Sequence, residues 1–399
     1  MLRFSQSPKG DMTMSDLQVA LINYLVAQQK EDAFIVRIAD LDKANIIEGK
    51  DTEIMQILEK FALIHQQVFH QSEHLHMHQT LAIRLLEEKK AFICTCYSDE
   101  TLRDQHPCQE QCVNKQMQTY RTLKEQKVPF VIRLKSSQTQ PKEPILLYGD
   151  ATPSELFASA CDDMLNGIDC IIDTSSKKEE QPLILAIQEM LGYSAEVAYA
   201  YLPPLENDPT IESLFIEGFI PDAIVNYLLR LSNPQAPQTI FTFPDAIEWF
   251  DLKQLPTEPI VFDKEALRTI NQAHLMLMDN KQLSSLFGFA DADVGKLAKL
   301  YLDKSATINE LAQNIRPFFA PTSFQSPWEE EMKTLQSILQ EAPMIHSFEA
   351  FEAMLIQKSG LNKNDLQTPL RLLLTGSDNG PELSRIYPLI KPYLLEVIS

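Results

Sequence analysis

The chain has 399 residues, which at ~150 residues per domain points to two or three domains. Hydrophobic residues make up 44% and charged residues 23%, a globular mix that excludes disorder and collagen-like repeats. Thirty-five Lys and Arg against 55 Asp and Glu leave a net charge of −20, so a surface this acidic repels phosphate and any nucleic acid must find a local basic patch. Glycine is scarce, at 11 residues. No two lie closer than Gly376 and Gly380, which excludes the dinucleotide fingerprint and the Walker loop, since both bring backbone close to phosphate through clustered glycines. No apolar run is long enough to span a bilayer. The start, Met1-Leu2-Arg3-Phe4-Ser5-Gln6, lacks a signal-peptide core, and the expectation is a soluble cytoplasmic protein.

In chain order, short β-rich runs fall at Leu2–Ser5, Phe34–Ile38, Phe92–Cys96, Val128–Leu134, Ile145–Tyr148 and Ile168–Ile172. Amphipathic stretches such as Leu17, Leu21, Tyr24 and Leu25 separate them. Strands alternating with helices predict a parallel sheet covered by helices. From about residue 245 the pattern becomes helical, at Lys264–His274, Ala292–Leu302, Ile308–Phe318, Trp328–Gln340 and Phe348–Gln357. The Pro- and Gln-containing stretch Ser232–Gln238 joins the two halves.

Four of the six cysteines bunch as Cys94, Cys96, Cys108 and Cys112. Four thiolates at this spacing predict a closed, structural Zn²⁺ site with no position left for substrate. His106 is an alternative ligand. Five histidines crowd residues 65 to 78, with His74 and His78 one helical turn apart. Without a carboxylate in register they read as part of a solvated helix start whose buried side is Leu75, Met77 and Leu81.

Several runs, in order, resemble glutamyl-tRNA synthetase, a class I aminoacyl-tRNA synthetase. Arg3-Phe4-Ser5-Gln6-Ser7-Pro8-Lys9-Gly10 resembles that family's RFAPSPTG opening, and Arg37-Ile38-Ala39-Asp40-Leu41-Asp42 resembles its RIEDTD run. Gln71-Ser72 falls at its QS pair, and Asp150-Ala151-Thr152-Pro153 followed by Asp162-Asp163 resembles its DGTPTY…DD stretch. Pro369 to Gly376 with Gly380-Pro381-Glu382-Leu383 resembles its anticodon-domain signature, and the cysteine spacing resembles its zinc knuckle. The resemblance implies a Rossmann-like α/β domain at 1–90 and 150–200 and a zinc-bearing, acceptor-stem-type insertion at 91–149. It further implies a connecting helical region at 201–245 and an all-α anticodon-binding-like domain at 246–399.

The catalytic signatures of that family are degenerate here. Thr13-Met14-Ser15-Asp16 stand where the resemblance places the HIGH motif, so neither Thr13 nor Ser15 supplies a cation and Asp16 meets phosphate with a like charge. The segment expected to carry KMSKS reads Pro204-Leu205-Glu206-Asn207-Asp208-Pro209-Thr210, with no Lys or Arg. Ser176-Lys177-Lys178 lies on the wrong side of a helix to replace it and reads as a charged turn. In the amino-acid pocket only Arg3 and Ser7 persist, with Ser5 a further position of the same opening run. Ala39 replaces the family's ammonium-binding Glu, Glu155 its Tyr, and Asp173 its substrate-binding Arg. Losing one preorganised donor to the developing phosphate charge costs ~10²–10³ in kcat. These losses argue against bound ATP and Mg²⁺. The expectation is a non-catalytic, bacterial glutamyl-tRNA synthetase paralogue binding tRNA or a translation-associated protein, an active synthetase among the candidates, with no DNA or membrane partner. The alternatives are an active glutamate–tRNA ligase with unorthodox motifs, or a remodelled pocket in which Glu155, Asp162, Asp163 and Asp173 gather around Mg²⁺.

Overall fold

The structure is a computed structural model and describes residues 1–96, 107–109, 112–136 and 142–399. The chain divides into two compact units, one comprising residues 1–213 and 228–262 and the other residues 214–227 and 263–399.

The first unit runs β1 (Leu2–Gln6), α1 (Met14–Gln29), β2 (Phe34–Ile38), α2 (Lys50–Lys60), β3 (Gln67–His70), α3 (Leu75–Glu87), β4 (Ala91–Cys94), α4 (Met117–Glu125), β5 (Val131–Leu134), β6 (Ile145–Leu147), α5 (Glu155–Leu165), β7 (Cys170–Thr174), α6 (Gln181–Met190) and β8 (Ala198–Leu202). Five strands form one parallel sheet in the order β3-β2-β1-β7-β8. Its central strands carry Leu2, Phe4, Phe34 and Val36 fully buried, as expected of a sheet covered on both faces. The β-rich and helical alternation of the sequence therefore does build a doubly covered parallel sheet. Strands β3 and β8 at its edges had no counterpart among the predicted runs.

Helix α1 is buried nearly all round, from Met14 to Ala27, so it lies inside its unit without a polar face. Asn23 in its middle is satisfied by donating to the Ile172 and Val19 carbonyls, each at 2.8 Å, which ties α1 to β7. Tyr24 packs on Phe34 and stacks on Phe243, at centroid distances of 5.5 and 5.6 Å. Strands β4, β5 and β6 form a separate antiparallel sheet between the halves of the parallel one. The predicted Phe92–Cys96 run thus ends as a strand at Cys94, and the Val128–Leu134 run begins only at Val131.

The second unit is helical. Helices Lys264–Leu277, Ala292–Lys299, Ile308–Ile315, Glu329–Gln340 and Phe348–Ser359 match the five predicted ones to within a few residues at their ends. Two more, Lys363–Thr375 and Leu383–Ile390, follow and contain Pro369 and Pro388. Tyr387 stacks on Phe351 at 4.2 Å and donates its hydroxyl to the Ile345 carbonyl at 2.7 Å. Gly295 is required by contact: a Cβ there would lie 1.9 Å from the Asn280 carbonyl oxygen. Among the described residues no helix is long and apolar enough to cross a membrane.

Candidate functional site

In an open parallel sheet, ligands gather beyond the carboxyl ends of the strands, where the strand order reverses. Here the reversal lies between β1 and β7. A cleft of about 320 Å³ opens there, lined by Arg3 to Gln6 of β1 with the following Ser7, by Ile171, Asp173 and Thr174 of β7, and by Tyr199 and Tyr201 of β8. Arg37, Ala39, Glu155, Asp16 and Lys177 also line it. The structure thus gathers the predicted pocket positions Arg3, Ser5, Ser7, Ala39, Glu155 and Asp173 around one cavity.

The charges around this cleft are largely spoken for. Arg3, 4% exposed, gives Nε and Nη2 to the two carboxylate oxygens of Asp163 at 2.9 and 3.2 Å. Its Nη1 sits 3.5 Å from Asp173. Burial pulls its pKa down, but the two carboxylates more than reverse this and hold the guanidinium above its ordinary value. Arg37 reaches the same Asp163 at 2.9 Å and donates to Ser5 Oγ at 2.9 Å. Its pKa is lowered by burial, with Arg3 adding repulsion against the attraction of Asp163. Glu155 is held by Lys9 at 2.9 Å, and Lys9 also meets Asp42 at 3.0 Å. These contacts do not favour the alternative in which Glu155, Asp162, Asp163 and Asp173 gather around Mg²⁺. Asp163 serves two arginines, Glu155 pairs with Lys9, and Asp162 faces His74 and His78 instead. Lys177 lines the cleft, yet its ammonium is engaged by Glu180 at 3.1 Å on an exposed 3₁₀ turn, as a charged turn would be.

The start of α1 is where an anion would bind, because its first backbone N–H groups have no partner within the helix. Those groups are already occupied. Thr13 caps the helix by accepting from the Asp16 N–H at 3.3 Å, and Asp16 returns to accept the Thr13 N–H at 2.9 Å. The Ser15 N–H donates to Asp208 Oδ1 at 3.1 Å, and the Met14 N–H to the Pro209 carbonyl at 3.0 Å. Thr13 and Thr210 form an antiparallel bridge, and the Ile211 N–H reaches the Met12 carbonyl at 2.9 Å. Residues 208–210 therefore lie directly against Thr13-Met14-Ser15-Asp16, and the side chain they bring there is the carboxylate of Asp208. Asp16 has its pKa raised by burial first, with Asp208 nearby adding to the rise and the Thr13 N–H opposing it. Asp208 has no role in the sequence-based expectation, which asks of 204–210 only whether a lysine is present. The only available signal was an acidic residue where a cation was expected.

The four cysteines come together. Cys94 ends β4, and Cys96 Sγ lies 3.6 Å from Cys108 Sγ and 3.5 Å from Cys112 Sγ. All four sulfurs fall within 4.8 Å of one another. Zinc–sulfur bonds of 2.3 Å in a tetrahedron place sulfurs roughly 3.8 Å apart, so the donor set fits a metal with little movement. Burial raises the Cys96 and Cys108 thiols. Burial acts on Cys112 too, but the Thr95 N–H, Cys96 and Lys115 outweigh it and bring its pKa down to about 7, so without a metal the cluster favours thiolate at Cys112 and thiol at those two. His106 lies outside the described residues.

The histidine reading needs correction. The buried stripe of α3 is His78, Ala82, Leu85 and Leu86, whereas Leu75, Met77 and Leu81 are only partly covered. A carboxylate does arrive, from Asp162 on α5. It lies 3.1 Å from His74 Nδ1 and 2.8 Å from His78 Nε2.

With this geometry in view, comparison decides the family. The family model for the catalytic domain of class I tRNA synthetases (E and Q) matches residues 1–269, and that for an anticodon binding domain matches residues 271–392. The chain belongs to the glutamyl- and glutaminyl-type class I tRNA synthetases. A curated relative, Glutamate--tRNA ligase 2 of Sulfurovum sp. (strain NBC37-1), is 51% identical over 429 aligned positions covering all of both chains. Those positions outnumber this chain's 399 residues, so parts of that relative have no counterpart here. Glutamate--tRNA ligase 2 of Sulfurimonas denitrificans is 36% identical over the whole of both chains. A crystal structure of a glutamate tRNA ligase from Elizabethkingia meningosepticum in complex with its amino acid superposes with a TM-score of 0.76 at 19% identity. It covers 99% of this chain and 97% of its own, which establishes the common fold. The predicted family and its two-part architecture, α/β followed by helical, thus hold. Synthetases of this family bind tRNA, and the chain is a glutamate–tRNA ligase-like protein.

Proposed function

We propose that this synthetase-family chain binds tRNA without activating glutamate, in the bacterial cytoplasm, and that its adenylation centre is closed by its own carboxylates. The observation that carries this reading is the occupation of the α1 start by Asp16 and Asp208. A free helix N-terminus favours an anion by about 0.3–1 kcal/mol. Two like charges 4 Å apart at an effective dielectric near 20 repel by roughly 4 kcal/mol, so repulsion of a triphosphate outweighs the helix. No lysine or arginine between Pro204 and Thr210 offsets it. Cys94, Cys96, Cys108 and Cys112 would hold a structural zinc that fixes the β4–β6 lobe. Its chemistry is that of a cross-link.

The test is glutamate-dependent ATP–pyrophosphate exchange with tRNAs for Glu and Gln present, paired with filter binding of the same tRNAs at low salt. Exchange at background with tRNA retained is the expected outcome. Exchange near the rate of the working ligases removes the reading, and absence of tRNA retention removes its RNA part.

Two further readings each have an observation behind them. The 51% identical relative bears the name of a ligase, which favours an active glutamate–tRNA ligase. The net charge of −20 favours a translation-associated protein over naked RNA as the partner.

A further inference from the structure

One cluster of ligating side chains is held by its own hydrogen bonds and not by those of Arg3, Arg37 and Lys9, although the nearby Arg37 charge helps keep its carboxylate ionised. His74 and His78 sit at successive turns where α3 begins, and Asp162 reaches them from α5, 84 residues beyond His78. Asp162 Oδ1 lies within 3.1 Å of His74 Nδ1 and 2.8 Å of His78 Nε2, while its Oδ2 accepts from Gln71 Nε2 at 2.8 Å. The two ring nitrogens and the carboxylate oxygen all fall within 4.8 Å of one another. Asp162 and His78 side chains are wholly buried, whereas His74 keeps 21% exposure and gives the cluster one open side. Phe69 stacks on the His74 ring at 4.7 Å and limits its rotation.

We propose that His74, His78 and Asp162 form a second metal site for a divalent first-row cation, zinc by preference, with water in the fourth position. The donor set is two imidazoles and one carboxylate without sulfur, a combination that suits zinc. Bonds of about 2.0–2.2 Å in a tetrahedron require donors roughly 3.3 Å apart. The two contacts of Asp162 with His74 and His78, at 3.1 and 2.8 Å, need open by no more than roughly half an ångström to reach that spacing. Gln71 on the outer carboxylate oxygen orients Asp162, the supporting contact that such ligands need. Bound there, the ion would cross-link the start of α3 to α5. The site is separate from the cysteine cluster and from the tRNA-binding reading, and stands if either fails.

The test uses the full chain as purified, titrated with Co²⁺ alone and compared with His74→Ala. This variant changes the partly exposed ligand and is expected to fold, which circular dichroism checks. The wild type is expected to take up one more cobalt per chain than His74→Ala. The ion lost should contribute visible d–d absorption and no sulfur-to-cobalt charge-transfer band. His78→Gln, if folded, should lose the same ion. Equal cobalt uptake by the wild type and a folded His74→Ala overturns the proposal, as does loss of a thiolate band with the ion.

Discussion

Asp208 Oδ1 accepts the backbone N–H of Ser15 at 3.1 Å, joining positions 193 residues apart. This bond replaces, at the first turn of α1, the anion that such a turn would otherwise attract. Changing Asp208→Ala removes a capping-type contact and should cost about 1 kcal/mol, read by urea unfolding. Pyrophosphate exchange should stay at background in this variant, because uncovering the turn supplies no cation. A variant that gains exchange would show that Asp208 alone holds back a competent centre.

Asp163 is the shared partner of two buried guanidiniums, Arg3 and Arg37. Removing one partner of a buried ionic group leaves charge unpaired, at ~3–5 kcal/mol. Asp163→Ala should therefore lower stability by at least that range, measured by chemical denaturation. Asp163→Asn keeps the shape and part of the hydrogen bonding and should lose less. Equal stability of Asp163→Ala and the wild type would deny the trio its structural role.

Zinc content gives a further check. Cys112→Ser should lower bound zinc by one ion per chain, the count for one four-sulfur site, in metal analysis of protein purified without added zinc. Faster amide exchange should follow across β4 to β6, with the helical unit unchanged. Unaltered zinc in the variant would contradict the thiolate set.

The helical unit carries its own pH signature. Glu310 takes Arg268 on both carboxylate oxygens, at 2.7 and 3.2 Å, and the Ala306 N–H at 2.6 Å. Burial raises its pKa, but Arg268 and these N–H contacts outweigh it and bring the carboxyl below its ordinary 4.5. A carboxyl lowered in the folded state stabilises fully above its unfolded value, and this contribution is lost as pH falls through the folded value. Glu310→Gln should therefore melt below the wild type at neutral pH. The gap should narrow as the pH falls below 4.5, through the lowered value of the folded carboxyl. A gap that stays constant across that range would mean that the ion pair contributes nothing.

Much of the fold is legible because burial imposes period. Phe34–Ile38 is buried at every position and reads directly as a central strand. Gln67–His70 and Ala198–Leu202 lie at the sheet's edges, where Phe69 and Leu202 alone are buried, so their pattern is too weak to detect. Pro369 and Pro388 interrupt the last two long helices in sequence but not in structure. The cleft is legible by resemblance alone, through Arg3, Ser7, Glu155 and Asp173. Its actual state depends on distant partners that spacing cannot give. Asp163 pairs with Arg3 across 160 residues, and Asp162 meets His78 across 84.

The trio of Arg3, Arg37 and Asp163 carries a historical consequence. Both buried guanidiniums lean on Asp163, so loss of that carboxylate strands them together and drift there is opposed by both neighbours. A lineage could abandon every use of a nucleotide and still be unable to part with these three. Retention of Arg3 is then a record of mutual dependence within the scaffold, and is no testimony that an amino acid still visits.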